Sequence, residues 1–414
     1  MKFAKKFLSE VAFFQEGPGV RKFQFRNEGV KLLNVGNINK GILDTGTTKL
    51  YISDEEAYGK YKHFLVDEGD LLIASSGIVV DNFHNKIAYV KKEHLPLCLN
   101  TSTIRFKSLD SNAFSLDYLK FYLKTTHFKN QLRKLITGAA QLNFGPSHLK
   151  KIILPVPPIP DQLHIANLLT KAEKLISQRK ESIRLLDEFL KSTFLEMYYK
   201  NPETDTWNEV RFEELAEKKK GSMRTGPFGS SLLHGEFTET GDVKVLGIDN
   251  VVTNRFDWKR SRCIKNEKYQ ELKRYTVYPN DVLISIMATL GRTAVVPKDI
   301  PLCINSKHLA AITLDKKIAN PYFVAFAFHS HPLIVRQMSN NVKGAIMDGL
   351  NLTIIRRIKL RLPPIELQNK FGETFEKTEA LKIQYQQSLR ELENLYGSLS
   401  QRAFRGELGL IDQE

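Results

Sequence analysis

The blocks of this chain occur twice in the same order, and that repetition constrains the architecture before any single residue does. Lys31-Leu32-Leu33-Asn34-Val35-Gly36-Asn37-Ile38 returns as Lys244-Val245-Leu246-Gly247-Ile248-Asp249-Asn250-Val251. The run from Lys62 to Ile73 returns from Lys273 to Ile284. Pro96-Leu97-Cys98-Leu99-Asn100 returns as Pro301-Leu302-Cys303-Ile304-Asn305, and Leu154-Pro155-Val156-Pro157-Pro158-Ile159 as Leu360-Arg361-Leu362-Pro363-Pro364-Ile365. The offsets are 213, 211, 205 and 206 residues. Such steady spacing marks a tandem duplication. The 414 residues therefore divide into four pieces: 1–160 and 201–362 as bodies, 161–200 and 363–414 as the segments after them.

The bodies read as α+β. Val30–Val35, Asp70–Ala74, Thr103–Phe106 and Leu309–Ile312 are short β-rich runs bounded by Gly, Asn and Asp. Asp117–Leu123 and Pro321–Phe328 carry helical spacing. After each Pro-Pro-Ile the texture changes, because a double proline cannot lie inside a helix. Asp161 is the expected cap of the first helix beyond it. Leu169, Ala172, Ile176, Arg179, Ile183, Leu186, Leu190, Thr193 and Met197 fall at alternating steps of three and four. Tyr385, Leu389, Leu392, Tyr396, Leu399 and Ala403 do the same. These are heptad seams, so the expectation is two long helices pairing as an antiparallel coiled coil.

Charge obeys the same division. The net charge is +15. Residues 1–160 contribute +9 and 201–360 contribute +7, whereas 161–200 carry +1 and 361–414 carry −2. Two basic bodies joined by near-neutral segments fit two separate contacts with a polyanion, nucleic acid first. Three scattered cysteines form neither a disulfide framework nor a CxxC zinc site. No apolar run reaches the roughly 18 residues that cross a bilayer, and the expected location is the cytoplasm.

Catalytic signatures are not found. Gly41 to Gly46 followed by Thr47-Thr48 lacks the lysine a phosphate-binding loop needs. Asn320-Pro321-Tyr322-Phe323 lacks the second proline of an adenine-methyltransferase loop, and a proline in the first turn of a helix is ordinary. HExxH and GxSxG do not occur. His329 and His331 have no cysteine or carboxylate pattern around them and read as helix-end residues beside Pro332. No catalytic, cofactor-binding or metal-binding residue is assigned.

Taken together, these features resemble the DNA-specificity subunit of type I restriction–modification systems over essentially the whole chain. Gly226-Pro227-Phe228-Gly229-Ser230-Ser231-Leu232 looks like the opening motif of a target-recognition domain. Gly138-Ala139-Ala140-Gln141-Leu142-Asn143-Phe144, ahead of the Pro-Pro-Ile block, resembles the exit motif, and Gln401–Leu408 the terminal segment. The first body departs from the pattern by opening with Glu16-Gly17-Pro18-Gly19-Val20-Arg21-Lys22, and Met347-Asp348 stands near the position that corresponds to Gln141. The resemblance implies a non-catalytic subunit. Each domain would read one half of a bipartite duplex site. The helices would set the spacer and dock methyltransferase subunits, two of them, and restriction/translocase subunits. S-adenosylmethionine and ATP would belong to those partners, and this chain would hold no cofactor.

Loop position and side-chain type give the candidate DNA contacts: Arg21, Lys22, Asn37, Ser75, Ser76, Gln141 and Asn143 in the first body, and Lys220, Arg224, Ser230, Ser231, Asn250, Arg292, Lys307 and His308 in the second. Cations suit phosphates; Arg suits guanine and Asn or Gln suits adenine. Competing tasks stay open at this stage, since Asn37 and Asn250 could hold turns and the Ser230-Ser231 pair could cap a helix. Two other function classes also stay open. One is a methyltransferase or nuclease with its own site, and the other is a coiled-coil adaptor that binds protein only.

Overall fold

The computed structural model describes residues 3–136, 143–260, 262–342 and 349–408. The chain forms two compact units, Met1–Lys180 with Gln387–Glu414, and Glu181–Gln386. The boundary differs from the sequence blocks: each unit takes one body and a share of both long helices.

The first unit is built on a four-stranded antiparallel sheet, in the order Ala12–Glu16, Thr103–Ser108, Leu71–Ala74, Ile87–Tyr89. Leu71–Ala74 is buried along its whole length, which is why it reads as a continuous apolar run. Helices Leu116–Lys124 and Thr126–Leu135 lie in the same core as this sheet, with Phe106, Tyr118, Phe121, Tyr122 and Phe128 fully buried. Each such side chain contributes about 1.5–3 kcal/mol. Ser115 Oγ caps the first of these helices by accepting from Tyr118 N. A smaller sheet pairs Val30–Leu32 with Tyr51–Ile52 and Leu97–Cys98, and Ala4–Phe7 pairs with Ile153–Val156.

The second unit repeats this plan. Its four-stranded sheet runs Met223–Thr225, Leu309–Ile312, Val282–Ser285, Thr293–Val295. Val243–Leu246 pairs with Cys263–Ile264 and Cys303–Asn305, and Glu209–Arg211 with Lys359–Arg361. Helix Pro321–Ser330 occupies the place of Leu116–Lys124, and Asn320 caps it by accepting from Tyr322 N and Phe323 N. The α+β fold and the duplication therefore hold at the level of strand order and register.

Both expected long helices are present, Ile159–Tyr199 and Ile365–Arg405, each of 41 residues. At 1.5 Å per residue each is about 61 Å long. The first begins two residues earlier than expected, with Pro160 in its first turn. Asp161 is therefore a buried first-turn residue and not the cap. Within the first unit the helices pair antiparallel. Tyr396 Oη donates to Glu173 at 3.1 Å, Lys180 meets Glu393 at 2.8 Å, and Leu169 and Ala403 are buried in the same core. Within the second unit the same opposition brings Lys382 Nζ to Asp187 at 2.6 Å and Phe194 to Phe371, 5.4 Å between ring centres. Seam residues such as Leu169, Ala172, Leu190 and Ala403 are buried, whereas Leu175, Leu185 and Phe189, off the seam, are exposed.

The strand expected over Val30–Val35 is shorter. It ends at Leu32 because Asn37 Oδ1 accepts from Asn34 N at 2.8 Å and winds Val35–Asn37 into a 3-10 turn.

Candidate nucleic-acid interface

Register places one end of each four-stranded sheet as the meeting point of its loops. In the first unit Glu16 faces Ile104 and Ala74 faces Thr103, so Gly17, Ser102 and Ser75 leave the sheet together. Ser75 N donates to Ser102 O at 2.8 Å, and Phe144 N to Ser75 O at 2.9 Å. Asn143 Oδ1 accepts from Ser76 Oγ at 2.6 Å and from Gly77 N at 3.0 Å. Candidates from two distant parts of the sequence, Ser75-Ser76 and Asn143, thus form one loop cluster. The second unit makes the corresponding bonds, Ile286 N to His308 O at 2.9 Å and Leu350 N to Ile286 O at 3.0 Å. These bring Arg292, Lys307 and His308 to the same end.

The chain enters both loop clusters through a Gly-Pro step. A Cβ on Gly17 would lie 2.3 Å from the backbone of Asn100, and one on Gly226 would lie 2.2 Å from the backbone of Asn305 and Ser306. Only glycine tolerates that approach. The first body's departure from the opening motif is therefore confined to the residues after Gly17-Pro18. There the second unit inserts Phe228–Ser231, with Gly229 at φ +58°.

Arg21 and Lys22 are exposed on the next turn, which Gln24 fixes by accepting from Arg21 N at 3.0 Å. Lys307 and Arg292 are exposed and Ser231 is half-buried. His308 is half-buried, and its pKa is lowered by burial, then by Lys307 and Arg262. At neutral pH its ring is therefore neutral and can both donate and accept. Exposed cations around neutral polar groups can hold phosphates and present hydrogen-bonding atoms to base edges.

Four candidates are buried in the fold, and their place in the set is corrected. Asn37 is buried; its Nδ2 donates to Asp44 O and Thr47 Oγ1. Asn250 does the same task in the second unit, accepting from Gly247 N and donating to Asp257 O. Ser75 is 1% exposed, and its Oγ is buried without a hydrogen-bond partner. Arg224 is 7% exposed; it pairs with Asp281 and donates to Thr276 O, Gly221 O and Thr313 Oγ1. Burying a guanidinium requires such pairing, so this arginine is a strut. Lys220 is exposed but precedes Met223, at the opposite end of its sheet from Gly226. Gln141 and the side chain of Ser230 lie outside the described residues.

Sequence reasoning missed Phe23. It is 81% exposed between Lys22 and Gln24, and its signal was an apolar residue inside a basic turn. It also missed Trp258, half-exposed beside Lys259 and Arg260 and packed edge-on against Phe256 at 5.1 Å. Among the described residues no group of three or more His, Cys, Asp or Glu could hold a metal ion. His329 lies in the last turn of its helix, with Nδ1 2.8 Å from Thr293 Oγ1, and His331 packs against Tyr198.

Residues 2–185 and 204–394 match the family described as Type I restriction modification DNA specificity domain. The specificity subunit of the type I restriction enzyme EcoBI of Escherichia coli is 22% identical, over 97% of this chain and 85% of its own length. That of EcoKI of Escherichia coli strain K12 is 20% identical over 92% and 83%. A solved S subunit of the Type-I restriction-modification system from M. genitalium has a TM-score of 0.58 at 15% identity, over 98% of this chain and 96% of its own. A chain from a structure of type I R-M complex assembly has a TM-score of 0.55 at 18% identity, over 98% of both chains. With two family matches that between them span most of its length, this chain belongs to the type I restriction modification DNA specificity domain family and carries two copies of the domain.

Proposed function

We propose that the chain is the DNA sequence-recognition subunit of a type I restriction–modification complex and performs no chemistry of its own. Each domain reads one half of a bipartite duplex site through the loops at one end of its four-stranded sheet. The observation that carries this reading is the duplication itself: the same sheets occur twice, each followed by a 41-residue helix. Two like readers connected by stiff helices suit a split target, because half-site separation depends on protein geometry. The helix pair sets the spacer and docks two methyltransferase subunits together with restriction/translocase subunits. Those partners supply S-adenosylmethionine, ATP and the reacting groups. No described helix is long and apolar enough to cross a membrane, and the complex works in the cytoplasm. The exposed members of the candidate set, Arg21, Lys22, Asn143, Arg292 and Lys307, touch the duplex together with the half-buried Ser76, Ser231 and His308.

Inserting one heptad into 161–199 tests this reading. The required spacer should lengthen while both half-sites stay unchanged, as read from the methylated positions in cells. Altered half-site bases would sink the modular reading. Binding should also weaken steeply with salt. Methylation or cleavage of DNA by the purified chain alone would contradict the non-catalytic assignment.

A further inference from the structure

Phe23 is 81% exposed, the most exposed large apolar side chain among the described residues. Its surroundings are rigid. Gln24, 6% exposed, donates to Glu56 Oε1 at 2.6 Å and to Tyr61 Oη at 3.0 Å while accepting from Arg21 N. Arg26 Nη1 donates to Phe23 O at 2.9 Å and to Phe25 O at 3.0 Å. Phe25 in turn packs on the buried cluster of Val30, Leu32 and Tyr61. The ring thus stands on a fixed turn, with Arg21, Lys22 and Arg26 beside it in sequence. A loose loop could fold such a ring away, but this one holds it in solvent. The second unit builds the same turn, with Leu233 N donating to Glu236 Oε2, and Gly235 stands where Phe23 does. Leu233 and His234 replace the two cations there, and Glu236 pairs with Lys268.

We propose that Phe23 is a wedge that inserts into the base stack of the duplex read by the first domain, while Arg21 and Lys22 hold the flanking phosphates. An apolar side chain on a basic rim is the chemistry that unstacks a base step and kinks a duplex. Trp258 is a poorer wedge because Phe256 already covers one of its edges. The inference rests on the DNA-recognition reading, and it makes the two halves of the site unequal: the first is deformed, while the second is read without a wedge.

The test uses the full chain and a pool of randomised 40-base-pair duplexes, from which the bound sequences are selected. The selected duplex is then remade with 2-aminopurine at successive positions. Wild-type protein should raise the fluorescence several-fold at one step of the half-site assigned to residues 1–160. Phe23→Ala should abolish that rise and weaken binding about tenfold, the scale of a lost aromatic–base stack, with unchanged thermal unfolding. Phe23→Leu should retain most of the rise. Equal fluorescence and affinity for wild type and F23A would overturn the wedge while leaving DNA recognition standing. If no duplex is enriched by the wild-type chain, the DNA-recognition reading falls and the wedge with it.

Discussion

The two domains solve one electrostatic problem from neighbouring strands. In the first, Arg105 on Thr103–Ser108 reaches the buried Asp70 at 3.5 Å and donates to Leu65 O and to His63 O, the latter at 2.8 Å. In the second, Arg224 on Met223–Thr225 reaches Asp281 and donates to Thr276 O. The carboxylates are equivalent: each accepts from the backbone three residues earlier, Asp67 N and Tyr278 N. The arginines are not. Arg105 sits opposite Gln15, whereas Arg224 sits opposite Ala311. The guanidinium has moved across one rung of the ladder and kept its target. The repeat therefore preserves an interaction and not a residue, which is why aligned blocks of sequence gave no sign of it.

That exchange can be tested by moving the arginine back. Arg105→Ala should destabilise the first unit by about 3 kcal/mol, because it takes the guanidinium from buried Asp70 and leaves Lys107, 3.6 Å away, as its remaining cation. Adding Gln15→Arg, which copies the second domain, should recover about half of that loss. Hydrogen exchange at Ile73 and Ile284 reads the units separately. If the double variant is no better than the single one, the equivalence of the two rungs is wrong.

A second difference is acid sensitivity. His329 and His331 at the end of Pro321–Ser330 are both lowered to about 4, mainly by burial, whereas Lys124 and Thr126 stand at the matching places in the first unit. A histidine whose folded pKa lies below its unfolded value of 6.5 stabilises fully above pH 6.5. That stability is lost as pH falls toward 4, since the unfolded chain binds the proton first. The loss is about 3 kcal/mol for each histidine. The second unit should therefore open before the first between pH 6.5 and 4, and His331→Gln should flatten its exchange profile over that range. Equal acid profiles for the two units would rule out the assignment.

The large features were legible because they rest on period and order. The heptads set both long helices, and the paired blocks set two domains whose strands match in register. Side-chain roles were legible only where chemistry is local. Asn37 and Asn250 could be read as turn holders from their Gly and Asp neighbours, but Arg224 could not be separated from a phosphate ligand. Its partner Asp281 lies 57 residues away. Phe23 escaped for the opposite reason, since exposure is a property of the folded surface and an isolated phenylalanine in sequence reads as core.

The join between each domain and its helix offers a smaller and more symmetric comparison. Gln162 is fully buried; it donates to Ala113 O and Pro157 O and accepts from Ser115 N. Gln368 repeats every bond with Ile318 O, Pro363 O and Asn320 N. Each glutamine ties the capping residue of a domain helix to the Pro-Pro turn. Replacing either by alanine should cost about 1–3 kcal/mol by orphaning buried groups, with equal losses in the two units. Unequal losses would mean that one join bears more of its domain's stability than the other.

The smallest effect expected is at a connection that the two units build differently. After the Asn37 turn the first unit forms a two-residue hairpin, Ile38–Asn39 against Ile42–Leu43, with Lys40 at φ +50° and Gly41 at φ +75°. Positive φ at both central positions is the turn that matches strand twist. Among the described residues the second unit has no hairpin here; it runs a loop through Asn254 at φ +57° to Arg255, which pairs with Asp187 and Glu379 on the two long helices. Gly41→Ala places a side chain in the left-handed region without other contact, its nearest neighbour being Ile87 O at 3.8 Å. The expected cost is backbone strain alone, about 1 kcal/mol. Local exchange at Ile38 and Leu43 should rise while Ile73 is barely changed. If Ile73 opens as well, the hairpin is coupled to the sheet core, and the two connections differ in energy as well as in shape.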